Sequence, residues 1–455
     1  MKGANRERGA KGRAISAGSQ VGARLLVLPM LMGALLALPL RAQVSSSQQH
    51  VRPSEVRKPL RALPPLGSAQ ARANALLEEG VADQQEGNIA AAITKFREAI
   101  QTNPNWARAY VALGGALDRN HDLAGAMAEY REALRLDPED ALAHLDLGMA
   151  LRRQGHIRQA LGQLAKAVDL APESATVHNE FGLALALDGD LHTATQQFRV
   201  ALMLKPDWAA ARNNLGNALA LSGQLDQAAR QYRRAIQLDP HWAEPHNNLG
   251  NALRDLGEVK QAEAEYQKAI RLDPGYAAAY NNLGLTLKLN GNLEGAIADY
   301  QKAVQLKPNY TAAHSNLAAA YYQKGEWALA IQQYRDVLRV SPRMASGHFN
   351  LGLALEASGH RHSALAEYEE AMKLSPTVSL YREQYQRLAQ ELSKDHSAKP
   401  AATLPKEPSS SSLAASSVRG TQGSPSLSRP HTVHRKREAP HLLRRLLHRP
   451  LPPND

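Results

Sequence analysis

Residues 243–276 read AEPHNNLGNALRDLGEVKQAEAEYQKAIRLDPGY, and the same pattern stands 34 residues earlier. Asn213-Asn214-Leu215-Gly216-Asn217-Ala218-Leu219 precedes Asn247-Asn248-Leu249-Gly250-Asn251-Ala252-Leu253. Stepping outward by 34 residues, Pro recurs at 104, 138, 172, 206, 240, 274, 308, 342 and 376. Ala occupies 92, 126, 160, 194, 228, 262, 296, 330 and 364. Four residues on stand Phe96, Tyr130, Leu164, Phe198, Tyr232, Tyr266, Tyr300, Tyr334 and Tyr368, and three further on a small residue, Ala99 to Ala371, broken only by Val337. One Gly series runs from Gly80 to Gly352 with Ala318 as its exception, and a second from Gly87 to Gly359 with His121 as its exception.

Each unit holds two apolar-periodic stretches of about a dozen residues on either side of the second Gly, which supplies the turn between two helices. The periodic Pro ends the second helix and opens the next unit. The first Gly and the facing Ala let the two helices approach closely, and the aromatic is expected to fill the gap to the neighbouring unit. One such hairpin cannot bury its apolar face alone, so stability must come from stacking. The chain therefore divides into nine repeats: 73–106, 107–140, 141–174, 175–208, 209–242, 243–276, 277–310, 311–344 and 345–378. A capping helix is expected over 379–396, with Leu380, Tyr381, Tyr385, Leu388 and Leu392 on its apolar face.

The period, with small residues, an aromatic and a terminal Pro in this order, resembles the tetratricopeptide repeat. That resemblance implies an all-α, right-handed superhelical solenoid of helix-turn-helix units, with the first helix of each repeat lining a concave surface. It implies a non-enzymatic scaffold that binds other proteins or extended peptides.

The sixth position of each repeat reads Glu78, Ala112, Asp146, Glu180, Asn214, Asn248, Asn282, Asn316 and Asn350. A carboxamide offers an acceptor and two donors, so five consecutive Asn make a ladder able to bond a peptide backbone without reading its side chains. Neighbouring first helices lie about 10 Å apart and an extended chain rises about 3.3 Å per residue, so each rung meets roughly every third residue. At about 0.5–1.5 kcal/mol net per bond, less the ordering of the peptide, such binding is of micromolar order. Asn213, Asn247, Asn217 and Asn251 flank the rungs and join the candidate set. These segments are similar to repeats of O-linked N-acetylglucosamine transferases, where an Asn ladder holds substrate backbone; no counterpart of the glycosyltransferase region follows here. The alternative role for these amides is intramolecular, in hydrogen bonds along the helix.

A second series, His144, His178, His246, His314 and His348, stands at the fourth position. Equivalent residues about 10 Å apart cannot share a metal that needs nitrogens about 2 Å away, so packing is the expected role, with a pH-sensitive contact between repeats as the alternative. No Lys or Arg surrounds Asn214 or Asn248 in the manner of a carboxylate clamp. There is no cysteine, which excludes disulfides, thiol catalysis and Cys-ligated metals. No H-E-x-x-H, P-loop or nucleophile-elbow motif occurs, so no enzyme, cofactor or metal is expected.

The formal charge of +11 sits at the ends. Residues 1–72 carry 12 Lys/Arg against 2 Asp/Glu, and 397–455 carry 10 against 3, leaving the repeats mildly acidic. A nucleic-acid-binding core is therefore not expected. Residues 1–42 combine a basic start with an apolar run, Leu25 to Leu40, that is short for the roughly 20 residues of a spanning helix. They read as a cleaved export signal, with an uncleaved membrane anchor over 25–40 as the alternative, and the bulk of the chain is expected to be periplasmic or secreted. Residues 43–72 and 397–455 are Ser-, Pro- and Arg-rich and expected to be disordered. Within the tail, residues 434–449 interleave Arg435, Lys436, Arg437, Arg444, Arg445 and Arg449 with four Leu. They read either as a basic amphipathic helix for an anionic surface or as solvated tail. The alternative function is an envelope adaptor acting through this tail, with the solenoid as a spacer or self-association platform.

Overall fold

The computed structural model describes residues 68–397, and among them the chain is all helix. In chain order the helices are α1 (Ser68–Gln85), α2 (Ile89–Thr102), α3 (Ala107–Arg119), α4 (Leu123–Leu136), α5 (Ala141–Gln154), α6 (Ile157–Leu170) and α7 (Ala175–Asp188). Then come α8 (Leu191–Leu204), α9 (Ala209–Leu221), α10 (Leu225–Leu238), α11 (Ala243–Asp255), α12 (Val259–Leu272) and α13 (Ala277–Leu289). The series ends with α14 (Leu293–Leu306), α15 (Thr311–Lys324), α16 (Trp327–Val340), α17 (Ala345–Ala357), α18 (Arg361–Leu374) and α19 (Ser379–Ser397). Consecutive helices pair as hairpins, and each hairpin packs on the next, which makes an all-α solenoid.

The turn inside each hairpin is tight because its Gly is left-handed; Gly257, for example, sits at φ +83°. His121 replaces Gly in the second repeat and takes φ +65°, a conformation a non-glycine side chain adopts only at a cost. The other Gly series has a different reason. A Cβ on Gly250 would stand 2.6 Å from Tyr266 Cε1, so the aromatic ring lies directly against the glycine of its own repeat. This adds to the expectation that the ring fills the gap to the next unit: it also closes the space inside its own hairpin. Ala92, Ala262 and their equivalents are wholly buried, as are Phe96, Tyr266, Tyr300 and Tyr368. Burying each such ring contributes about 1.5–3 kcal/mol, which no single hairpin could gather.

α1 begins at Ser68, so the last residues of the expected disordered linker are helical. Gln70 explains it: its side chain bonds Asn74 one turn on and receives a bond from Asn103 in the turn after α2, which ties the early turn to the first hairpin. On α19, Tyr381, Leu388 and Leu392 are buried against the last hairpin, with the Tyr381 ring 4.8 Å from that of Phe349. Arg387 bonds Glu356 at 2.7 Å. The export signal or anchor over 1–42, residues 43–67 of the linker, and the basic tail from 398 onward lie outside the described residues. No described helix is long and apolar enough to cross a membrane.

Candidate binding surface

The first helices of successive repeats touch one another directly along much of the stack, from α1 against α3 to α13 against α15. Positions 5, 9 and 12 of a repeat fall on one stripe of its first helix, because they are separated by four, three and seven residues. Position 6 lies beside that stripe. The side chains at these positions decide how neighbouring first helices meet.

From the fifth repeat on, they meet through amides. Asn214 Nδ2 donates to Asn179 Oδ1 at 3.0 Å, Asn248 to Asn213 at 3.0 Å, Asn282 to Asn247 at 2.9 Å, and Asn316 to Asn281 at 2.9 Å. The rule is uniform: position 6 of one repeat donates to position 5 of the repeat before. Asn248 also donates to Asn217 Oδ1 at 3.2 Å and accepts from Asn247 at 3.3 Å, so both of its N–H groups are engaged inside the protein. Asn213 donates to Glu244 at 3.1 Å. Asn213, Asn217, Asn247, Asn248 and Asn282 are all buried, whereas Asn214, Asn251, Asn316 and Asn350 are half-exposed. The internal bonds run across to the neighbouring helix, not along the same one. Asn350 stands apart because position 5 of the preceding repeat is Ser315, and Asn350 makes no side-chain hydrogen bond among the described residues.

In the first repeats position 5 is apolar, with Leu77, Val111 and Leu145 all buried. Position 6 is then charged or Ala. Glu180 is wholly buried and meets Arg152 of the third repeat at 2.7 Å, Arg152 being 1% exposed. Asn179 donates to the other Glu180 oxygen at 3.0 Å, so the ion pair and the first amide rung form one chain, Arg152–Glu180–Asn179–Asn214. Asp118 pairs with Arg153 at 2.6 Å. Burial, with Asp140 and Asp118 facing it, pushes the half-buried Asp146 carboxyl up to about 7.

Sequence reading missed two arrangements. Four of the five position-4 histidines are clips. Nε2 of His144, His178, His314 and His348 bonds the carbonyl of Pro138, Pro172, Pro308 and Pro342 in the preceding turn, at 2.8–3.0 Å. Their Nδ1 atoms reach Gln163, Gln197, Gln333 and Glu367 on the second helix of the same repeat. Tyr110 and Arg212 hold Pro104 and Pro206 in the same way, so the signal was a polar head at position 4 six residues after most of the periodic Pro. The His348 imidazole is opposed by its burial, but its bonds to Glu367 and the Pro342 carbonyl prevail and raise it above the ordinary histidine value. The second arrangement concerns the aromatic hydroxyls. Tyr232 and Tyr266 donate to Asn217 and Asn251 at 2.8 Å, whereas the Tyr300 hydroxyl is buried without a partner among the described residues, Leu285 standing where those Asn would be. Among the described residues no group of three His, Asp or Glu is arranged to hold a metal.

The fold and this surface define a helical-repeat protein whose neighbouring first helices are joined in part by polar side chains. Family models described as Tetratricopeptide repeat match residues 145–208, 247–311 and 345–378, and one described as TPR repeat matches 122–155, 216–257 and 320–359. Together these stretches cover more than half of the chain, which belongs to the tetratricopeptide repeat family and has the make-up of a protein-interaction scaffold. No curated protein matches it. Among solved structures, the APC/C hetero-tetramer Cut9–Hcn1 is 18% identical, over 70% of this chain and 76% of that one, with a TM-score of 0.46. A tetratricopeptide repeat protein from Parabacteroides merdae is 18% identical over 55% of this chain and 99% of its own, also at 0.46. YrrB, described as a TPR protein with an unusual peptide-binding site, is 24% identical over 40% and 95%, at 0.34.

Proposed function

We propose that this chain is a non-enzymatic scaffold that holds an extended segment of a partner protein against its layer of first helices. The observation that carries this reading is the split among the asparagines. The buried amides already join helix to helix, while the half-exposed Asn214, Asn251, Asn316 and Asn350 lie along the same face with bonding capacity to spare. Each has at least one N–H or lone pair to offer a peptide group. Backbone bonding of this kind holds many sequences at modest affinity, which suits a scaffold for several clients.

The test is a binding comparison between the wild type and the Asn251→Ala/Asn316→Ala/Asn350→Ala variant, with partners captured from the native envelope fraction. Capture lost in the variant at unchanged helicity supports the reading. Equal capture by both would move recognition to the other layer or to the loops. Export by residues 1–42 belongs to the same proposal, supported by their basic start and apolar run, and fractionation of a tagged chain checks it.

A further inference from the structure

Position 12 lies two helical turns above the amide rungs on the same stripe. In the C-terminal half it reads Arg254, Lys288, Tyr322 and Glu356 on α11, α13, α15 and α17. Three of these four are engaged. Arg254 bonds Asp255 at 2.9 Å and lies 3.5 Å from the Tyr266 hydroxyl. Tyr322 meets Trp327 edge-on with ring centroids 5.0 Å apart. Glu356 accepts from Arg387 at 2.7 Å and from Tyr368 at 2.8 Å.

Lys288 is different. It is half-buried, and no ion pair or hydrogen bond engages its ammonium group among the described residues. Burial holds that ammonium below the usual lysine range, and no nearby charge acts the other way. Beside it Leu289 is 63% exposed, and Leu221, at the same thirteenth position two repeats earlier, is 41% exposed. A cation that has lost part of its water and gained no counter-charge is stabilised most by a carboxylate arriving from outside.

We infer that Lys288 receives a single acidic side chain of the extended segment bound on this face, with apolar neighbours of that side chain seated on Leu289 and Tyr322. The inference rests on the peptide-holding reading above and names the chemistry of its ligand. A polyanion fits less well, because a single cation is offered: in the two adjoining repeats position 12 is Arg254, already paired with Asp255, and the uncharged Tyr322. The occupant is therefore an extended segment of the form apolar–acidic–apolar.

The experiment uses the full chain and three fluorescein-labelled dodecapeptides, identical except for Asp, Asn or Lys at a central position between Leu residues. Anisotropy is read at low and high salt. The Asp probe should bind roughly tenfold more tightly than the Asn probe, with the Lys probe weakest and the gap narrowing as salt rises. Lys288→Gln should erase the preference, and Lys288→Glu should turn it toward the Lys probe, both at wild-type helicity. Equal binding of the Asp and Asn probes, or a preference that survives Lys288→Gln, would overturn the inference and leave the groove reading standing. Failure of all three probes to bind at millimolar concentration would remove the groove reading, and this inference with it.

Discussion

Repeats 1–4 and repeats 5–8 share one backbone design, yet their first helices are joined by different chemistry. In the earlier half an apolar residue at position 5 meets a charged or small one at position 6, and the buried charge Glu180 survives through Arg152. In the later half, amide meets amide, with at least one bond per junction from Asn214 through Asn316 and two where Asn248 reaches both Asn213 and Asn217. The lesson is that the repeat specifies where neighbouring helices touch but leaves open how. A buried ion pair is all-or-nothing, since removing one partner strands a charge. An amide ladder is graded, since each rung is neutral and its loss is local.

The contrast can be broken most forcefully at Arg152. Arg152→Ala leaves Glu180 buried with only Asn179 to serve it, and should cost about 3–5 kcal/mol in chemical denaturation. A loss under about 1 kcal/mol would show that the two halves are joined alike. Next in size is Asn248→Ala, which removes the donor to Asn213 and one of the two donors to Asn217, and should cost about 2 kcal/mol. Asn350→Ala, with no internal bond to lose, should change stability by less than about 0.5 kcal/mol. If the two variants melt together, the ladder contributes nothing to stacking.

A third prediction uses pH. The Asp146 carboxyl is raised from 3.8 to about 7 by burial beside Asp140 and Asp118. Between those values the folded state holds a proton that the unfolded state has lost, so stability falls as pH rises from about 4 to 7. Asp146→Asn should therefore stabilise the protein by about 1–2 kcal/mol at pH 8 and be neutral below pH 4. Denaturation curves of both proteins across that range settle it; a constant difference would rule out the titration. The smallest effect lies within the later half. Tyr266→Phe gives up a bond to Asn251 and should cost about 1 kcal/mol, whereas Tyr300→Phe removes an unpartnered buried hydroxyl and should be neutral or slightly stabilising. Melting temperatures moving equally would show that the Asn251 bond is idle.

Much of this was legible before any coordinates. The 34-residue recurrence of Pro104 to Pro376, with Ala, aromatic and Gly at fixed offsets, specifies paired helices because only that spacing buries every marked residue at once. Position 4 showed its regularity but not its purpose. That His144 or His348 reaches a prolyl carbonyl depends on the turn folding back over the helix, which periodicity does not describe. The same holds for the aromatic ring, whose place against its own Gly is decided by the angle between the two helices.

The sequence by itself determined the class of fold, the number and register of the repeats, and the stripe on which polar variety gathers. All of these follow from periodicity along one chain. Only the tertiary structure decided which asparagines are spent on their neighbours and which remain for a ligand, because Asn248 and Asn350 are the same residue at the same position. They differ in what stands across the helix–helix gap, Asn213 in one case and Ser315 in the other. It also decided that Lys288 stands without a counter-charge while Arg254, one repeat away, has Asp255. Hydrogen bonds and ion pairs are satisfied between repeats, across distances in sequence that no local pattern records.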